Sequence, residues 1–186
     1  MLKRLTPFIL FCLLGHTTGM AQMLSLRTNL LWDALEAPSL GMEISTGNST
    51  SLGLNISYAR HPLYAKSSRI ILVQPEWRCY LSRRTMHGAY MGIGAVGADY
   101  DLQWKGKRYN GDAAGAGFTV GCMVTLASRL NLDLHAGVGA VAYRQKEYYE
   151  GDNYNDYSLN GNVKTNANGY ALLPTDFGIT LSYILK

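Results

Sequence analysis

Beyond its N-terminal stretch the sequence has no long apolar run; charges and glycines interrupt every candidate, which excludes a helix-spanning membrane protein. It also lacks an excess of one charge. Seventeen basic residues face 13 acidic ones, too balanced for a nucleic-acid-binding surface. Cysteine is scarce, with only Cys12, Cys79 and Cys122, so a disulfide-stapled scaffold is excluded. At 186 residues the chain has room for one domain.

The first stretch has the order of a secretory signal peptide. Lys3 and Arg4 give a basic start, Leu5 to Leu14 an apolar run too short to span a bilayer, and Gly19-Met20-Ala21 a small-residue cleavage site. Cys12 has no small residues just upstream, which argues against lipoprotein processing. Cleavage after Ala21 divides the chain into a signal peptide, 1–21, and a domain, 22–186. Without Lys3 and Arg4 the 17 basic residues become 15 against 13 acidic, a net charge of +2.

What recurs along the domain is alternation. Phe177, Ile179, Leu181, Tyr183 and Leu185 share one face of a strand, and Gly178, Thr180 and Ser182 the other. The same period marks eight segments, about 24–32, 39–46, 51–60, 69–81, 88–104, 114–126, 130–140 and 177–185. In a secreted chain, an apolar face backed by a small, polar face points to lipid outside and a polar interior. The expected fold is all-β: an eight-stranded antiparallel transmembrane β-barrel in the bacterial outer membrane. Pro75 interrupts the fourth strand and suggests a bulge there. The fifth is the least distinct, since both faces of 89–98 are small or apolar.

The connections fit that reading. Links at 47–50, 82–87 and 127–129 are tight, whereas 60–68, 105–113 and 145–174 read as longer loops; 33–38 is the short exception. Short turns on one side and long loops on the other are the habit of outer-membrane barrels. Cys79 and Cys122 fall on the fourth and sixth strands, roughly 9–10 Å apart at two strand spacings. They are expected to be free thiols facing lipid.

Two stretches resemble a known family. Arg27-Thr-Asn-Leu-Leu-Trp-Asp-Ala34 with Pro38-Ser-Leu-Gly-Met-Glu43, and Val73-Gln-Pro-Glu-Trp-Arg78, resemble motifs of a domain-of-unknown-function family of small Bacteroidota outer-membrane barrels. The resemblance covers the whole mature chain. It implies a barrel with no established activity, often encoded near fimbrial or OmpA-like genes, and makes Pro75 a family feature.

The charged residues on the small face are Arg27, Glu43, Glu76, Arg78, Asp133 and His135. A narrow eight-stranded barrel is filled by side chains, so these are expected to pair in its interior as a salt-bridged plug. An ion path through the same network is the competing reading. His135 is the one candidate for catalysis, but no motif ties a serine to it. No catalytic, cofactor or metal site is therefore assigned. Tyr148, Tyr149, Tyr154 and Tyr157, among asparagines and acids in the last loop, form the candidate contact surface for an envelope or surface protein. The leading expectation is a non-enzymatic barrel with a structural or surface-interaction role, whose partners are outer-membrane lipid and such a protein. The alternatives are a small pore, a lipid-modifying enzyme of the same membrane, and a secreted soluble barrel that binds a small ligand.

Overall fold

The structure is a computed structural model that describes residues 23–60, 68–149, 158–159, 162–163 and 167–185. The expected signal peptide therefore lies outside the described residues. In chain order the elements are β1 (Leu24–Asn29), α1 (Leu30–Ala34), β2 (Ser39–Ser45), β3 (Thr50–Arg60), β4 (Arg69–Tyr80), β5 (Gly88–Trp104), β6 (Lys107–Ala127) and β7 (Leu130–Tyr149). Two short strands follow, β8 (Ser158–Leu159) and β9 (Asn162–Val163), which pair with each other, and then β10 (Ala167–Ile184). The other eight strands form a closed antiparallel barrel in which each pairs with its neighbour in the chain and β10 closes on β1.

Alternation sets the register. Trp77 lies opposite Leu52 on β3 and Ile93 on β5, whereas the next residue, Arg78, lies opposite Ser51 and Gly92. A slip of one residue would carry Arg78 outside and Trp77 into the lumen, so the pattern specifies the pairing strongly. The result is an inside-out protein. Leu26, Leu40, Leu54, Trp77, Ile93, Phe118, Leu134 and Ile179, one from each barrel strand, are exposed on the outer wall, Phe118 to 69%. The largest fully buried side chains include Arg27, Arg78, Tyr80, Tyr90 and Glu43. Cys79 and Cys122 are free thiols on the outward phase of their strands.

Four sequence expectations need correction. The first strand does not run to 32. The Asn29 side chain accepts from the N–H groups of Leu31 and Trp32, 3.1 and 3.4 Å away, and so caps the short helix α1. The stretch 105–113 is not a long loop. Lys105 and Gly106, at φ 50° and 76°, make a two-residue turn, and Lys107 to Ala113 continue β6 against β5. Nor is 145–174 a loop throughout: β7 runs to Tyr149, and β10 begins at Ala167. β6, β7 and β10, at 21, 20 and 18 residues, are lengthened accordingly, while β5 keeps its expected 88–104.

Finally, Pro75 is not at a bulge. Its neighbours stay in register, Val73 with Gly97 and Glu76 with Gly94, and only the pairing at 74 and 75 is missing on the β5 side, where proline has no N–H to give. The bulges are elsewhere, at Leu126 on β6 and at Thr175 on β10. The second has consequences. Below it Asp176 and Gly178 point inward; above it the phase flips, and Leu173 lies opposite the inward Gly139.

Candidate functional site

The lumen is built in layers that can be followed along β4, whose inward residues run Tyr80, Arg78, Glu76, Gln74, Leu72 and Ile70. At the short-turn end the link between β4 and β5 folds under the barrel. Met86 and Met123 are buried there, and Asn131 Nδ2 donates to the Met86 carbonyl at 2.9 Å.

Above this floor lies the ionic plug. Asp133 is its hub: Arg27 Nη2 and Arg78 Nη1 approach one carboxylate oxygen at 2.7 and 2.8 Å, and Tyr90 donates to both oxygens at 2.9 and 3.1 Å. Glu43 is the second acceptor. Ser51 and Tyr80 donate to Oε1 at 2.5 and 2.6 Å, and Arg27 Nη1 lies 3.2 Å from Oε2. Arg78 Nε donates to Glu76 at 2.6 Å, and its guanidinium stacks 4.4 Å over the Tyr90 ring. One layer up, His135 bridges two carboxylates, Nε2 being 3.2 Å from Asp176 and Nδ1 3.6 Å from Asp133. Arg27, Arg78, Glu43, Glu76 and Asp133 are taken out of water, so each depends on its partners for compensation.

Small residues on the facing strands make room for the plug. A Cβ on Gly121 would fall 2.5 Å from the Tyr90 ring, and one on Gly92 would fall 2.5 Å from Glu76 Oε1. Gly121→Ala must push a ring held at its hydroxyl by Asp133, and is expected to lower stability by about 1–3 kcal/mol, as overpacking does. Urea unfolding followed by tryptophan fluorescence reads this, and an unchanged midpoint would show that the ring has space to move.

Above the plug, the character of the lumen changes. Gln74 Nε2 donates to the Thr175 carbonyl at 2.7 Å, spanning from β4 to the bulge of β10. Beneath that bridge is a void of about 10 Å³, at the lower limit for a single water. Over it opens a chamber of about 290 Å³. Its wall is nearly all apolar, with Ile70, Leu72, Val96, Ala98, Val141 and Leu173 among the side chains, and Trp32 of α1 and Phe177 close one side. Trp32 Nε1 donates to the Phe177 carbonyl at 3.1 Å, and the two rings lie 5.4 Å apart.

Over residues 7–185 the sequence matches the family described as a protein of unknown function, DUF3575. The chain belongs to that family. No curated protein and no solved structure matches it.

In this DUF3575 chain the two motifs singled out in the sequence have structural work. Asn29 caps α1, Asp33 accepts from Thr28 Oγ1 at 2.6 Å and from the Ser39 N–H at 2.8 Å, and Glu76 and Arg78 belong to the plug. The six charged residues named from the sequence, Arg27, Glu43, Glu76, Arg78, Asp133 and His135, are all buried in the lumen and meet in one network. Three members of that network escaped notice. Asp176 shares the inward phase of Gly178 and Thr180 but lies one residue before the 177–185 stretch read as strand. Tyr80 and Tyr90 carry the signal that could have found them, as large aromatics on the small, polar phase of their strands.

The tyrosine cluster divides. Tyr148 and Tyr149 are not in a loop but end β7, paired with Arg108 and Lys107, and Tyr149 is exposed. Tyr154 and Tyr157 lie outside the described residues.

Proposed function

We propose that this chain is an integral barrel of the bacterial outer membrane, non-enzymatic, with a structural or surface-interaction role. The observation that carries the reading is the inversion of its core: two arginines, three acids and two tyrosines form the packed centre, while leucines, isoleucines, Phe118 and Trp77 ring the outside. A contiguous apolar belt around a closed barrel has hydrocarbon as its natural solvent, and around the ring each strand is hydrogen-bonded to a neighbour on either side over at least part of its length. The signal-peptide pattern at 1–21 and the likeness of the two motifs to small Bacteroidota outer-membrane barrels support the same assignment.

The competing activities find less support. A pore needs a continuous wet path, and the lumen is blocked from Met86 up through the plug to the Gln74–Thr175 bridge. An enzyme using His135 would need it open to substrate, but the ring is enclosed between Asp133 and Asp176. For a protein partner, the surface on offer among the described residues is the β5–β6 hairpin tip with the end of β7 beside it, where Tyr149 is exposed and Lys107 pairs with Glu147.

Cell fractionation and electrophoresis test the proposal. The chain should appear in the detergent-extracted outer-membrane fraction, and an unboiled sample should migrate apart from a boiled one. Recovery in the soluble periplasmic fraction would overturn the reading.

A further inference from the structure

The polar plug does not fill the whole lumen. Above Gln74 the inward residues become Leu72 and Ile70 on β4, Val96 and Ala98 on β5, Val141 on β7 and, through the Thr175 bulge, Leu173 on β10. A barrel filled for stability alone would close this space with side chains. Instead a chamber of about 290 Å³ remains, at the lower edge of the roughly 300–1,000 Å³ typical of small-molecule sites. Apolar cavities of about 150 Å³ stay dry and accept benzene, so this one has room for roughly a dozen carbon atoms.

The wall beside the chamber is incomplete. β10 pairs with β1 only from Thr180 to Ile184, because β1 stops at Asn29. Among the described residues, its stretch from Ala167 to Ile179 has no strand on that side. β2, at seven residues, is nearly as short, and pairs with β3 only as far as Ser57. Six residues of strand cover roughly 20 Å, or about 14 Å of depth at a 45° tilt, half of a hydrocarbon core of about 30 Å. Among the described residues α1 is what stands in the gap, where Trp32 packs on Phe177, and these are two of the chamber's own lining residues.

We infer that the chamber takes a single linear hydrocarbon chain, which enters from the surrounding leaflet through the notch between β10 and α1 and leaves its polar head outside. The inference rests on the outer-membrane reading. Among the described residues no charged side chain lines the chamber, so recognition comes from the burial of methylenes, and the head group needs no partner within it. Gln74, tied to Thr175, sets the depth at which the chain must stop.

Tryptophan quenching in lipid nanodiscs tests this. Trp32, Trp77 and Trp104 are the three tryptophans, so two versions are made: one retaining only Trp32, in the chamber wall, and one retaining only Trp77, on the outer wall. In one arm 12-bromododecanoic acid is titrated into nanodiscs of ordinary phospholipid. In the other the phospholipid itself carries brominated chains. Trp32 is expected to be quenched saturably by the free acid if free fatty acid is the source, or by the brominated phospholipid alone if the chain belongs to a bilayer lipid.

Two separate changes, Ala98→Phe, which fills the chamber, and Leu72→Gln, which makes it polar, should each weaken the Trp32 effect. Loss of room for even two methylenes corresponds to roughly tenfold or more in affinity. Heat-modifiable migration verifies that each variant has folded. Trp32 quenching that is absent in both arms, or that survives both substitutions unchanged, overturns the inference. Failure of brominated phospholipid to quench Trp77 would instead overturn the outer-membrane reading itself.

Discussion

Asp133→Asn is expected to be among the most damaging single changes in the lumen, lowering the stability of the barrel by about 3–5 kcal/mol, the usual consequence of removing one partner from a buried ionic network. The Asp133 carboxylate accepts from Arg27, Arg78 and Tyr90 and lies beside His135. Without its charge, two fully buried guanidinium groups share only Glu43 and Glu76. The amide also offers donors where acceptors are needed. Urea unfolding of the barrel in lipid vesicles, followed by fluorescence, measures the loss. A double-mutant cycle separates ionic pairing from packing: Arg27→Met combined with Asp133→Leu should be less damaging than Asp133→Leu alone, because it removes both members of a buried pair. A cost below about 1 kcal/mol for Asp133→Asn would mean that water or counter-ions enter the plug and that the network is not dry.

Val120→Arg carries the other large effect, and its size depends on the solvent outside. Val120 sits on the outer wall of β6 between Met91 and Ala136 and is 56% exposed. In a bilayer an arginine there is expected to cost about 2–4 kcal/mol if the site lies near the midplane. On a water-facing wall the same change stays within about 0.5 kcal/mol, as surface substitutions do. Folding equilibria in vesicles distinguish the two, and a neutral result would remove the hydrocarbon from the account.

How much of this could be read from residues alone follows from where alternation survives. Around Leu52–Trp77–Ile93 and through Gly115–Val124 one face is small or polar and the other apolar, so strands, register and phase were legible together. The same phase carried Arg27, Arg78, Glu43 and Asp133 to the inner wall without any knowledge of contacts. Legibility failed in the upper half for two opposite reasons. Along 89–98 both faces are small or apolar, because Gly92 and Gly94 leave room for Glu76 of the plug while Val96 and Ala98 line the chamber, and a period of two vanishes when both faces are alike. At the tips, Lys107 to Ala113 and Gln145 to Tyr149 are polar or mixed on both faces and read as loop, though they are paired strand.

Two further features were beyond pattern reading. The flip of phase at Thr175 is a backbone event, with one extra residue in β10, and it moved Leu173 to an inward position that continuous alternation did not assign. The end of β1 at Asn29 depends on a cap: its side-chain oxygen satisfies two N–H groups and turns the chain out of the sheet before the apolar run Leu30-Leu31-Trp32 is complete. That local choice leaves the notch in the wall, so the feature with the most to say about ligand access has the faintest trace in the sequence.

The central claim, that the outer wall faces hydrocarbon, is tested most directly by the chain's own thiol at Cys122, exposed on β6 between Ala89 and Leu134. With Cys79→Ser in place, the protein is folded into lipid vesicles and treated with a permanently charged, water-soluble thiol reagent. The account predicts that Cys122 resists modification in the folded barrel and is fully modified after boiling in detergent. Rapid, complete modification in the intact vesicles would contradict it.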